Sequence, residues 1–161
     1  MTSRHTCILV LAATLFGGIM AGLNFNRLFV EMPAWRKIGA VGWAAFSRNA
    51  DLGAGKVIYP VVAIGGALLM LSAAIAFHFD RGAPRSAAIP IYLALALVIG
   101  GLLVTLNAAP YMLSRESIGD DPAALRHAFE GFDRWGAIRA VMQMLAFPSS
   151  LWALVAVLRS S

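Results

Sequence analysis

AAIPIYLALALVIGGLLVTLNAAPYML, residues 87–113, carries no charged side chain from end to end. A helix needs about 20 predominantly apolar residues to cross a hydrocarbon core of about 30 Å, so this stretch is long enough to span a bilayer. Comparable stretches lie on both sides of it. Upstream, VIYPVVAIGGALLMLSAAIAF (57–77) is also uncharged, and residues 7–30 hold Arg27 as their one charge. Downstream, residues 137–158 hold only Arg139. The expectation is an all-α protein with four transmembrane helices at about 7–30, 57–77, 87–113 and 137–158. Short connections then give an up-down bundle. These spans use nearly all of residues 1–161, so one membrane domain is expected and a separate soluble domain is not.

Composition agrees. The chain is 60% hydrophobic and 13% charged, about half the charge of an ordinary soluble domain. Membrane lipid is therefore the expected surrounding. The net charge of +5 is scattered rather than gathered into a basic run, which argues against nucleic-acid binding. Cys7 has no second cysteine to pair with and reads as a small apolar residue. Arg4 ahead of the run from Cys7 resembles the start of a signal peptide. The apolar stretch continues to Leu23, beyond the usual 7–15 residues of a signal core, and favours an uncleaved first helix.

Between the first two spans, Glu31, Arg36, Lys37, Arg48, Asp51 and Lys56 are interleaved with Trp35, Ile38, Trp43 and Phe46. Trp35, Ile38 and Phe46 fall near helical spacing, so a short amphipathic helix in the membrane interface is expected, with its tryptophans at headgroup depth. A loop packed over the bundle is the alternative. Pro60 is expected in the first turn of the second span, Pro110 to kink or end the third, and Pro148 to bend the fourth. Asp121-Pro122 reads as an N-cap followed by proline at the first helical position, opening a helix that runs into the fourth span. Arg81 and Arg85 in the compact 78–86 turn, with Arg4 and Arg159 at the ends, place both termini in the cytoplasm by density. The longer loops carry more Lys and Arg in total and vote the other way.

Laying the spans antiparallel gathers the polar residues at one end. Asn24, Asn26, Arg27 and Glu31 meet Tyr59 from span two, Thr105, Asn107 and Tyr111 from span three, and Trp135, Arg139 and Gln143 around span four. The other end offers Thr14, Ser72, Ser149 and Ser150, hydroxyls that can bond their own helix. A charged side chain within a span is costly, by roughly 2.5–3.5 kcal/mol at the centre, and normally faces the bundle interior with a partner. Glu31, four residues after Arg27, can neutralise one guanidinium. The second, on Arg139, is then left for an anionic or enolate-like ligand. Both arginines also lie close enough to the interface to snorkel. The candidate ligand-binding residues are Asn24, Arg27, Tyr59, Asn107, Trp135, Arg139 and Gln143, with Arg139, Arg27 and Glu31 as catalytic candidates. No two of His5, His78 and His127 lie one helical turn apart, so no metal site is expected. His78 is the single residue open to haem ligation, and no cofactor is expected.

The chain resembles the anthrone-oxygenase-like family of small four-span membrane proteins, most of unassigned function. The likeness runs through Met32-Pro33-Ala34-Trp35, Tyr59-Pro60, Thr105-Leu106-Asn107-Ala108-Ala109-Pro110, and Phe132-Asp133-Arg134-Trp135-Gly136-Ala137-Ile138-Arg139. In the family the segment after span three tends to read Asn-x-Pro, one residue shorter than here, and a histidine tends to stand where this chain has Gly136. The resemblance implies a metal- and flavin-free oxygenase that converts an anthrone to an anthraquinone. Cationic and amide donors such as Arg139, Arg27 and Asn107 would stabilise the substrate anion, and Glu31 or Tyr59 would replace the missing histidine as base. The leading expectation is a membrane-embedded site for a lipophilic aromatic or quinone-like molecule. The alternative is a non-catalytic accessory subunit contacting a membrane-protein partner through Gly18 and Gly22 or Gly65 and Gly66. A transporter would call for a repeat that the sequence does not display.

Overall fold

The computed structural model describes residues 4–114 and 117–159. All regular structure among them is helical, in four continuous runs: Arg4–Ile38, Ala40–Phe79, Arg85–Leu113 and Pro122–Leu158. Among the described residues these four are long and apolar enough to cross a membrane. They divide into α1 (Arg4–Asn26), α2 (Met32–Ile38), α3 (Ala40–Asn49), α4 (Gly55–Phe79), α5 (Ala88–Leu113) and α6 (Pro122–Leu158). A π-helical turn at Arg27–Glu31 joins α1 to α2, and a kink at Ala50–Ala54, where Gly53 leaves the helical conformation, joins α3 to α4.

Small residues let the long helices approach. Phe16 of α1 lies over Gly65 and Gly66 of α4, Phe147 of α6 over Gly18, and Met142 of α6 over Gly100 of α5. A Cβ on any of these glycines would press on the neighbouring side chain. Gly18, Gly65 and Gly66 thus serve packing inside the molecule, whereas Gly22 has open space beside it. At one end, Val10, Ala73, Ala74, Phe77, Ala87, Ile91, Ala153 and Val157 form a closed apolar cluster. It joins the start of α1, the end of α4, the start of α5 and the end of α6. Thr6 ties the same end by donating to Asp80 at 2.9 Å.

α6 opens as its sequence dictates. The Asp121 carboxylate accepts from the Ala123 N–H at 3.0 Å, and Pro122 follows at the first helical position. The helix then runs 37 residues through Pro148, about 55 Å at 1.5 Å per residue, far more than a bilayer core is thick. Its first turns carry Leu125 and Phe129 into a second cluster with Met32, Trp35, Trp43 and Ala44. α2, α3 and the start of α6 thereby form a cap over the other end of the long helices. Arg48 pins it by donating to Asp120 and to the Ile118 and Gly119 carbonyls at 2.9–3.1 Å.

Two local expectations change. Residues 32–49 form two helices, broken at Gly39, whose φ of +87° is left-handed and suits glycine. Trp35 and Trp43 therefore turn inward to the core while Ile38, Val41 and Phe46 face outward, and no single helical face runs from 35 to 46. Pro60 lies in the second turn of α4 rather than the first, because the helix restarts at Gly55, directly after the kink at Ala50–Ala54. α5 ends at Leu113, within one turn of Pro110.

Candidate functional site

The π-helical turn at Arg27–Glu31 and the kink at Ala50–Ala54 carry the charges. Hydrogen bonding from i to i+5 brings residues five apart onto one face, and such turns recur at functional positions. In the first, Asn26 donates to Glu31 Oε1 at 2.8 Å and Arg27 to Glu31 Oε2 at 2.8 Å. From the second, Asp51 meets the same guanidinium with both oxygens, at 2.7 and 3.0 Å. Asp51 is 1% exposed and also accepts from the Ser47 hydroxyl at 2.6 Å. A fork-to-fork pair of this kind suits Arg and carboxylate geometry and compensates the burial of both ions.

Sequence reasoning missed Asp51, which it grouped with the interfacial charges. The available signal was local: Ser47 and Asp51 stand four apart, one helical turn. This second carboxylate corrects the charge count. Arg27 holds both acids, and over Arg27, Arg139, Glu31 and Asp51 the formal charges cancel.

Arg139 is the opposite case. It sits on α6 one thickness of a bilayer core from Leu158, about 28 Å, and is only partly covered. Its Nε, like that of Arg27, is buried without a hydrogen-bond partner; the difference is that among the described residues the Arg139 guanidinium makes no ion pair. Both cations lie by the Phe132 ring: Arg27 is 5.1 Å and Arg139 5.7 Å from its centroid. Arg27 also lies 6.0 Å from the Trp43 ring. Cation–π attraction offsets part of the desolvation cost and fixes where each guanidinium sits.

Asn24 and Gln143 lie deeper and are both buried. Asn24 Nδ2 donates to Gln143 Oε1 at 2.6 Å and to the Met20 carbonyl at 2.7 Å. Gly101 of α5 gives Gln143 room, since a Cβ there would stand 3.2 Å from its Cγ. Beyond this pair is a cavity of about 30 Å³ lined by Phe16, Met20, Met70, Val98 and Ser150, among others. That is about the volume one water molecule takes in the liquid, far too little for a tricyclic aromatic.

The remaining candidates divide. Tyr59 is one-third exposed, its ring lies against Gly55, and it is within electrostatic reach of Arg27, Asp51 and Arg139. Trp135 is partly buried near the same level of α6. Asn107 is not brought in: it is exposed and makes one long bond, 3.5 Å, to the Leu103 carbonyl of its own helix. Thr105 bonds its own Gly101 carbonyl at 2.9 Å, and Tyr111 lies across Gly131 of the cap. Gly136 has only the Phe132 ring edge near it, so no side chain supplies a base there. Among the described residues no group of His, Cys, Asp and Glu is arranged to hold a metal. No protein-family model, curated protein or solved structure matches the chain.

Proposed function

We propose that this chain is a multi-pass membrane protein, an up-down bundle of four spans with both termini in the cytoplasm, whose capped end binds a lipophilic aromatic or quinone-like molecule. Ile38, Val41 and Phe46 on the outer face of α2 and α3 would rest in the membrane interface. The observation that carries the site is Arg139. A partly buried guanidinium with no ion-pair partner is costly, and a ligand oxygen arriving from the bilayer relieves that cost. Because the cluster's formal charges already cancel, a quinone carbonyl is the best-matched acceptor, and a phenolate is held if Arg139 alone meets it. Phe132, Trp135 and Tyr59 offer ring surface beside it.

Where the bound molecule is an anthrone, the resemblance adds a reaction. Anthrone and dioxygen give anthraquinone and water: two hydrogens leave the methylene carbon, one oxygen atom stays on it, and the other leaves as water. Glu31, ionised beside Arg27 and partly exposed, would be the base, since Asp51 is fully buried under the same guanidinium. The accessory-subunit alternative keeps only Gly22 as an open small-residue contact on α1.

The test is quenching of tryptophan fluorescence by 1,4-naphthoquinone and by anthrone in the detergent-solubilised chain. A charge-assisted hydrogen bond is worth about 1.5–3 kcal/mol, so Arg139→Ala should weaken binding by about 10- to 100-fold. Equal affinity in a variant with unchanged helical content would remove the site. Glu31→Gln should keep quinone binding and abolish anthrone-dependent oxygen uptake.

A further inference from the structure

The cap holds a second concavity that the Arg139 site does not use. Between α2 and the first turns of α6 lies an open cleft of about 420 Å³, walled by Trp35, Arg36, Arg126, Glu130, Asp133 and Arg134, among others. Its charges are arranged in order. Arg36 reaches across from α2 to Asp133 at 2.9 Å, which neutralises both. Arg126, Glu130 and Arg134 are exposed and take part in no ion pair among the described residues. They stand four apart along α6, on one face.

Depth gives that order a meaning, and this step rests on the membrane reading above. If the part of α6 beyond Arg139 fills the hydrocarbon, Arg134 stands about 7 Å outside it and Glu130 about 13 Å outside. The headgroup layer extends roughly 5–8 Å beyond the hydrocarbon on each side, so Arg134 stands in its outer part and Glu130 just beyond it, where an ammonium drawn outward along the cleft meets it. A cation at phosphate depth, followed one turn farther out by an anion, is the reverse of the charge order in an amine-bearing phospholipid. There the phosphate lies next to the glycerol, and a two-carbon linker carries the ammonium outward.

We infer that this cleft binds the headgroup of a zwitterionic aminophospholipid, with its phosphate on Arg134 and its ammonium on Glu130. An anionic lipid without the amine would leave Glu130 facing negative charge. The cleft therefore discriminates between lipids rather than merely attracting anionic ones, and it would seat the cap on the membrane surface.

The experiment is native mass spectrometry of the full chain in detergent with equimolar phosphatidylethanolamine and phosphatidylglycerol of the same acyl chains. Wild type should retain phosphatidylethanolamine at least about threefold over phosphatidylglycerol, since one opposed charge pair near the surface is worth on the order of 1 kcal/mol. Glu130→Gln should abolish the preference, Arg134→Gln should reduce retention of both lipids, and Arg134→Lys should restore it. Equal retention by wild type, or a preference that survives Glu130→Gln, overturns the inference. So does displacement of the lipid by millimolar phosphoethanolamine, which would make the cleft a site for a soluble headgroup. Alkaline extraction of the membranes is a separate readout: release of the chain would defeat the membrane reading itself, whatever the lipid preference.

Discussion

The two ends of the long helices are built from different materials. At the end holding Val10, Phe77, Ile91 and Val157, closure is apolar, with the Thr6–Asp80 bond as a polar strap. The hydroxyls nearer mid-bundle serve mainly their own helices: Thr14 bonds the Val10 carbonyl, Ser149 that of Leu145 and Ser150 that of Phe147, at 2.7–2.9 Å, and Thr14 adds a longer bond, 3.3 Å, to the Ser150 carbonyl of α6. At the capped end, buried ions and amides do the joining, and one cation is left over. Apolar packing has no direction and tolerates small shifts; the Arg27–Asp51 fork and the Asn24–Gln143 bond hold specific atoms in place. The contrast is that one end supplies cohesion while the other fixes geometry and leaves one cation unmatched.

The comparison breaks most visibly at Asp51. Asp51→Asn leaves Arg27 buried with only Glu31 as counter-charge, and splitting a buried pair costs about 3–5 kcal/mol. We expect a loss near the lower figure, about 3 kcal/mol, read from an SDS or thermal unfolding midpoint in detergent. A change under about 1 kcal/mol would mean that water or lipid headgroups already screen the pair. The apolar end should respond less. Ile91→Ala in a soluble core would cost about 2–5 kcal/mol, but lipid removes the transfer part, about 0.8 kcal/mol per methylene. What is left is lost packing, about 1–2 kcal/mol by the same measurement. A larger loss from Ile91→Ala than from Asp51→Asn would invert the assignment of roles.

The same contrast decides what was legible in the sequence. Span length is a one-dimensional property, so residues 57–77 and 87–113 declared themselves, as did the Asp121–Pro122 start of α6. Depth was also legible: Asn24, Arg27, Arg139 and Gln143 do gather at one end. The phase around each helix was not. A helix that is apolar all round carries no stripe to mark its inner face, so nothing distinguished Asn107, which faces out, from Ala108 beside it, which is fully buried. Asp51 was hidden for another reason. Its arrival at Arg27 depends on the break at Gly39, the π-helical turn at Arg27–Glu31 and the kink at Gly53, and no periodicity announces any of them.

Next in size is the amide pair. Interhelical side-chain bonds in membranes average about 0.6 kcal/mol and reach about 1.7. The Asn24–Gln143 bond is short and buried, so a double-mutant cycle of Asn24→Ala and Gln143→Ala should return about 1 kcal/mol of coupling. Zero coupling would mean that the bond only marks the wall of the small cavity and does not join α1 to α6.

The smallest effect is expected from the residue on which the proposed function rests. Arg139→Gln removes a charge that has no partner, so it gives up cation–π attraction to Phe132, about 1 kcal/mol, and relieves a desolvation cost of similar size and opposite sign. The unfolding midpoint should therefore move by less than about 0.5 kcal/mol, in contrast to Asp51→Asn. Arg27 and Arg139 face Phe132 from similar distances, and what separates them is what they have been given to bind. A loss of several kcal/mol at Arg139 would mean that the guanidinium is held by the fold as Arg27 is, and a ligand would no longer be needed to account for it. Stability unchanged with quinone binding lost is the outcome that separates a residue kept for its ligand from one kept for the bundle.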